Sequence, residues 1–398
     1  MGKIAKISSY EVIQSSGRST IGAEMLLDDG KIVKTSVASD EKIAPYQTQE
    51  LEASKSVYYI NDLIGPKLKG VDTGKQAEVD AWLLAVDKTP TKEKLGVNTV
   101  WAISSLLAKA QAKSTGVSLF RYLNSLYNKR YSVDQIPLEK PPTPIVPILR
   151  RGSKIASFDF KEFCLVPSSS LSFSKSTQLA ISFYHAVKKV IGENHPGTNF
   201  DVFEILLSTM SNLNLKLAID VFIGLNFGAN NYYQSGTYEI KDKPQPLKTD
   251  IYLEYISTLV KKYFPLFLID PLSVDDLASW RILNSALSKE TYLVGGDLVA
   301  SSAERLKKVS EEKNCSSILL KPAQVGTVTE FFDMVSSANK NDLDYIVASS
   351  DYETGEAITA DLAVSVAADF VKFGTPVHEE EIAKYNRMLE IERELNKT

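Results

Sequence analysis

The sequence predicts a small α+β domain over residues 1–135 followed by an α/β barrel over residues 136–398, and three observations predict it. At 398 residues the chain exceeds one ordinary domain and has room for a small domain beside a barrel of about 250 residues. The proline-rich stretch LEKPPTPIVPI, Leu138 to Ile148, cannot be helix interior and marks the boundary. Beyond it the pattern changes to short apolar runs separated by amphipathic stretches, with as many runs as a closed parallel barrel has strands.

In the first part, IAKISSYEVIQ and TIGAEMLLDDGKIVKTSV alternate apolar with polar residues around an Asp29-Gly30 turn, which predicts two or three antiparallel strands. From roughly Gln49 to Tyr127 the apolar spacing becomes helical, through Leu51, Val57 and Tyr58 and then Trp101, Ile103, Leu106 and Ala110. After the prolines, PIVPILR, EFCLVP, KLAIDVF, FPLFLID, TYLVGGDL, SILLK, DYIVASS and FVKFG predict strands. Their continuous apolar character requires cover on both faces, as in a barrel ringed by helices; an open doubly wound sheet is the competing arrangement.

Composition narrows the function. A net charge of −4 and a pI near 5.7 provide no basic field for nucleic acid, and no Lys/Arg cluster points to an anionic membrane. The two cysteines form no CxxC motif or disulfide framework, which suits a reducing, cytosolic or cytosol-facing location. No run of 18 apolar residues and no signal-peptide core occurs, and no GxGxxG or P-loop string speaks for a nucleotide. In a barrel of this kind chemistry gathers at strand C-termini. Glu162, Asp220, Asp270, Asp297, Lys321, Ser349, Ser350 and Lys372 fall in or just after apolar runs, so lysines and acids are expected to share one mouth.

At these residues the chain resembles the enolase family over nearly its whole length. SILLKPAQVGTVTE, VKFGTP and EEEIAKYNRMLEIEREL carry the likeness in the C-terminal half, and QSSGRST, LGVNTVWAISSLLAKAQA, KEFCLVP and FYHAVKKVI carry it earlier, in the family's order. The resemblance implies an α+β domain and a barrel of TIM type whose first strands run partly antiparallel. It places Lys321 at the base that removes the carbon-2 proton of 2-phosphoglycerate, Lys372 at the lysine that holds the substrate carboxylate, and Glu162 at a retained active-site acid. A neighbouring cation and desolvation would depress the pKa of Lys321 and suit it to that task.

The metal ligands depart from the family's pattern. Of the three strand-end carboxylates that hold Mg²⁺ in enolases, the resemblance matches one to Asp220, while Ile269 and Gly296 stand for the others. Asp270 and Asp297 are next-door acids, and strand alternation is expected to point them away from the mouth. Ser39 in SVASD matches a metal-ligating serine, with Asp40 adding negative charge beside it. RRGSKIA replaces the family's histidine loop, so that Lys154 stands near the histidine and Arg150, Arg151 and Lys154 offer cations for a phosphate or acidic ligand. Ser349 and Ser350 replace the histidine and phosphate-gripping arginine, and Asp201 and Glu204 are the acids nearest a deleted loop. Mg²⁺ is expected to bind weakly or not at all, so no cofactor is expected.

The expectation is a catalytically inactive enolase homologue acting as a structural or binding component of a larger assembly. Its partners would be unidentified proteins, in a homodimer or heterodimer, with neither nucleic acid nor membrane. Ser16 stands where enolases keep an interface arginine. One alternative is a divergent phosphopyruvate hydratase working with Mg²⁺; another is a lyase or isomerase for a different carboxylate, with Lys321 as base.

Overall fold

Period-2 burial organises the N-terminal sheet: β1 (Ile4–Ile13), β2 (Ser19–Leu27) and β3 (Ile32–Ser36) pair antiparallel in sequence order. The β2–β3 turn runs through Gly30 at φ 83°, a conformation glycine adopts without cost, and Lys31 N donates to Asp29 Oδ1 at 3.1 Å. These coordinates are a computed structural model, which describes residues 2–40, 46–132, 135–152, 157–192 and 195–397.

The helix Val97–Thr115 is buried on nearly every face, because it lies between the small sheet and the barrel. On one side Thr35 Oγ1 meets Ser105 Oγ at 3.2 Å, and on the other Val328 N donates to Ser104 Oγ at 2.9 Å. Asp80 on the preceding helix, Gln76–Asp87, accepts from Thr329 N of the barrel at 3.1 Å. Burying polar groups that are each satisfied across the junction ties the two parts into one core.

The barrel follows the chain through β4 (Thr143–Pro144), β5 (Val146–Arg150), β6 (Glu162–Pro167) and β7 (Val221–Asn226). A hairpin layer of β8 (Tyr233–Gln234), β9 (Thr237–Tyr238) and β10 (Leu247–Lys248) lies outside it. β11 (Phe267–Ile269), β12 (Tyr292–Gly295), β13 (Ser317–Leu320), β14 (Asp344–Ala348) and β15 (Phe370–Lys372) complete it. The sheet order is β4-β15-β14-β13-β12-β11-β7-β6-β5. β4 and β5 are two parts of one extended run, which pairs with β15 on one side and β6 on the other and so closes the barrel. Ile145, Cys164, Val166, Phe267, Ile269, Val294, Leu319 and Ile346 fill its interior, and a larger apolar shell packs the helices outside.

Strand direction decides what reaches the mouth. β5–β6 and β6–β7 pair antiparallel while the other neighbours run parallel. Because β6 runs in reverse, its first residue, Glu162, lies opposite Arg150 and Asn226, the last residues of β5 and β7.

One strand differs from the sequence reading. The run KLAIDVF does not open as strand: Asn214 and Ala218 take positive φ of 54° and 61°, and Lys216 N donates to Asp220 Oδ2 at 2.8 Å. The strand begins only at Val221, so Asp220 stands at its entry, at the foot of the barrel. An uninterrupted apolar run holds no alternation to mark where extension starts.

The C-terminal helix Glu379–Leu395 packs on the barrel through Tyr385, Met388 and Ile391. Its Glu392 carboxylate accepts from Phe173 N at 2.6 Å and Ser174 N at 3.1 Å, capping the helix Phe173–Ile191. Lys384 is fully buried and pairs with buried Glu353 at 2.9 Å. Lys384→Ala would strand the Glu353 carboxylate in the interior, so a loss of about 3–5 kcal/mol in urea unfolding is expected.

Candidate active-site mouth

The strand ends converge on a cavity of about 300 Å³. Glu162 sits at its centre: Lys372 Nζ approaches Oε2 at 2.6 Å, Asn226 Nδ2 donates to Oε2 at 2.8 Å, and Arg150 Nε lies 3.3 Å from Oε1. Arg150 also pairs with Glu381 at 2.9 Å. Burial alone would raise the pKa of Glu162, but Lys372, Arg150 and Lys161 outweigh it and hold the carboxyl at about 2.

Beside it Lys321, directly after β13, donates to Asp40 Oδ1 at 2.8 Å, and the same oxygen accepts from Asp351 N at 2.9 Å. Lys161 Nζ bonds both oxygens of Asp351, at 3.0 and 3.1 Å. Desolvation pushes the Lys321 pKa down, yet Asp351 and Asp40 override it and raise it above the ordinary lysine value. This reverses the sequence expectation that Lys321 is tuned toward a base. The same cations, Lys321 first, hold Asp351 far below the usual carboxylate range against the burial that would raise it.

Two further acids, Asp270 and Asp297, line the same mouth. Asp270 leaves β11 with φ 46°, so strand alternation stops at Ile269 and the side chain swings into the cavity. Asp297 lines it too, which corrects the expectation that both acids point away. Asp270 Oδ1 accepts from Gly296 N at 2.9 Å and from Leu298 N at 3.4 Å, while Oδ2 accepts from Asp297 N at 2.9 Å. Burial first, and the neighbouring Asp297 second, push Asp270 up to about 7. A Cβ at Gly296 would lie 2.5 Å from Asp270 Oδ2, so the Asp270 carboxylate occupies the space a side chain at 296 would need. Gly296→Asp, which restores an acid there, is therefore expected to cost about 1–3 kcal/mol in chemical denaturation.

The other sequence candidates divide between mouth and elsewhere. Asp220 is not in the mouth; its place at that end of the strand is taken by Asn226. Ser39 is buried and donates to Gln14 Oε1 at 2.8 Å, leaving Asp40 as the residue that reaches the site. Arg150 is committed to two carboxylates, Arg151 lines the rim and donates to Asp159 O at 3.3 Å, and Lys154 lies outside the described residues. Ser349 and Ser350 line the cavity. Asp201 is spent on a helix cap, accepting from Gly197 N and Thr198 N, both at 2.9 Å.

Lys161, Asp351 and Asn226 escaped sequence reasoning. Lys161 precedes β6, outside any alternation, and Asp351 follows the serine pair in a loop with no periodic pattern of its own. For Asn226 the continuous apolar run to Leu225 was the available signal.

A divalent ion does not fit this set. Asn226, Ile269 and Gly296 supply one neutral oxygen among them, Asp270 is engaged by three backbone N–H groups, and no cluster of three His, Cys, Asp or Glu suited to a metal occurs among the described residues.

A three-stranded α+β domain on a barrel with antiparallel opening strands, and a lysine pair around a central glutamate, define an enolase-type architecture. The chain belongs to the enolase family: the family model for the enolase C-terminal TIM barrel domain matches residues 140–398, and that for the enolase N-terminal domain matches residues 4–123. Enolases of Ehrlichia ruminantium, strains Welgevonden and Gardel, are each 27% identical to it over 420 aligned residues, covering 99% of this chain and 97% of the relative.

Proposed function

We propose that this protein is a non-catalytic member of the enolase family, retained as a structural or binding component of a protein assembly. The observation that carries this reading is the mutual neutralisation of the mouth: Lys321, Lys161, Lys372 and Arg150 each pair with a carboxylate of the chain itself. In an enolase such cations would face a phosphorylated, carboxylate-bearing substrate, and here that anionic role is filled internally by Asp40, Asp351 and Glu162. The two serines at 349 and 350 hold no charge with which to grip a phosphate.

The binding role places its partner on the outer surface, and the expected partner is another protein chain. No helix among the described residues is long and apolar enough to cross a membrane. A cytosolic setting suits the two free, buried cysteines.

One observation favours a second reading, a divergent phosphopyruvate hydratase. Asp270 and Asp297 stand together at the mouth, where a metal would need carboxylates. The two readings separate on conversion of 2-phosphoglycerate to phosphoenolpyruvate with excess Mg²⁺, run beside Lys321→Ala and Asp270→Asn. Turnover lost in both variants would establish the enzyme and end the non-catalytic reading.

A further inference from the structure

We propose that the corner of the mouth formed by Asn226, Asp270 and Asp297 binds the primary ammonium group of a small organic ligand. The inference rests on the reading that the mouth no longer takes a phosphorylated anion. Three adjacent strand ends bring the residues together: Asn226 is in register with Ile269, the residue before Asp270, and Asp270 accepts from Asp297 N.

Asn226 supplies the decisive atom. It is buried, with 6% of its surface exposed, and its amide orientation follows from Glu162, an ionised acceptor that only Nδ2 can satisfy. Oδ1 is thereby turned elsewhere, buried and without a hydrogen-bond partner. A buried acceptor left open calls for a donor. Asp297, partly exposed, lines the same cavity and enters no ion pair among the described residues. The nearby cations make their direct ion pairs elsewhere, Lys321 with Asp40, Lys161 with Asp351, Lys372 with Glu162 and Arg150 with Glu381.

What remains open is a set of acceptors without a direct ion-pair contact, although Lys321 and Lys161 lie near enough to feel the charge of Asp297. A primary ammonium, three donors and no acceptor on one positive centre, matches an open amide oxygen that shares one cavity with two carboxylates. A hard divalent ion matches it poorly, because with Asp270 engaged by three backbone N–H groups the corner offers only one amide oxygen and one carboxylate without such donors, too few for near-octahedral oxygen coordination. The Ser349 hydroxyl, also buried without a partner in this cavity, offers a polar contact for the remainder of the ligand. At about 300 Å³ the cavity admits only a small molecule.

The test is a titration of the full-length ¹⁵N-labelled protein with methylammonium chloride, following the amides of Gly296, Asp297 and Leu298 by NMR. A saturable shift of these amides is expected. Asp297→Asn should weaken it about tenfold, as loss of one charged partner does, and Asn226→Leu should weaken it further. Tetramethylammonium, with the same charge and no N–H donor, should leave them unmoved. The proposal is overturned if methylammonium produces no shift, if tetramethylammonium matches it, or if Mg²⁺ moves the same amides and displaces methylammonium. It is also overturned if Asp297→Asn binds as tightly as the parent. Should Asn226→Leu fail to fold, Asp297→Asn, at a partly exposed position, decides alone. The readout is binding, so its failure leaves the non-catalytic reading standing, and turnover in the separate assay would undo that reading by itself.

Discussion

Given 2-phosphoglycerate and excess Mg²⁺, the protein is expected to form no phosphoenolpyruvate that depends on Lys321, and raising the pH from about 6 to about 9 is expected to bring no rise in rate. A general base must be neutral to accept a proton. With its pKa raised above the ordinary 10.5 by Asp351 and Asp40 against desolvation, Lys321 stays protonated across that range. Loss of a general base costs about 10²–10⁴-fold, and loss of metal stabilisation costs several kcal/mol more, roughly another thousandfold. Together they place the rate about five orders of magnitude or more below that of a working site. Asp40→Asn removes one of the two partners of Lys321 and still leaves no metal site, so it too should be inactive. A coupled assay at high protein concentration, with Lys321→Ala to expose contaminating enolase, measures this; a rate that falls with Lys321→Ala would refute it.

Much of this site was legible because Lys321 and Lys372 each end an apolar run and Glu162 begins one, and a barrel brings such positions to one mouth. Which acids reach the mouth is less legible. Asp220 and Asn226 flank the same apolar stretch, and only the left-handed turn through Asn214 and Ala218 shows which of them reaches the mouth. Alternation predicts the wrong face for Asp270 because it assumes extended backbone, which a positive φ at a non-glycine residue breaks. The locking of Lys321 was hidden for another reason. Asp40 comes from the N-terminal part of the chain and Asp351 from the loop after β14, and nothing local in either segment reports that they meet one lysine.

Acid stability is expected to depend on Glu162, and Glu162→Gln should remove that dependence. The folded carboxyl titrates at about 2 against an ordinary 4.5. A depressed folded pKa adds stability that is fully present above the unfolded value and is lost as pH falls from 4.5 toward 2. The difference corresponds to about 3 kcal/mol. Asp270 works in the opposite direction: its folded pKa of about 7 lies above the ordinary 3.8, so its stability contribution is present below 3.8 and is lost as pH rises through 7. Glu162→Gln also leaves the half-buried Lys372 and the Arg150 guanidinium facing a neutral amide, so at neutral pH it should cost about 3–5 kcal/mol, the penalty of uncompensated charge in a largely desolvated site. Urea midpoints of parent and variant between about pH 3 and about pH 7 measure both effects. The gap between them should be widest near neutrality and shrink toward pH 3, while a gap that does not change with pH would show that Glu162 is not the ionised centre of the mouth.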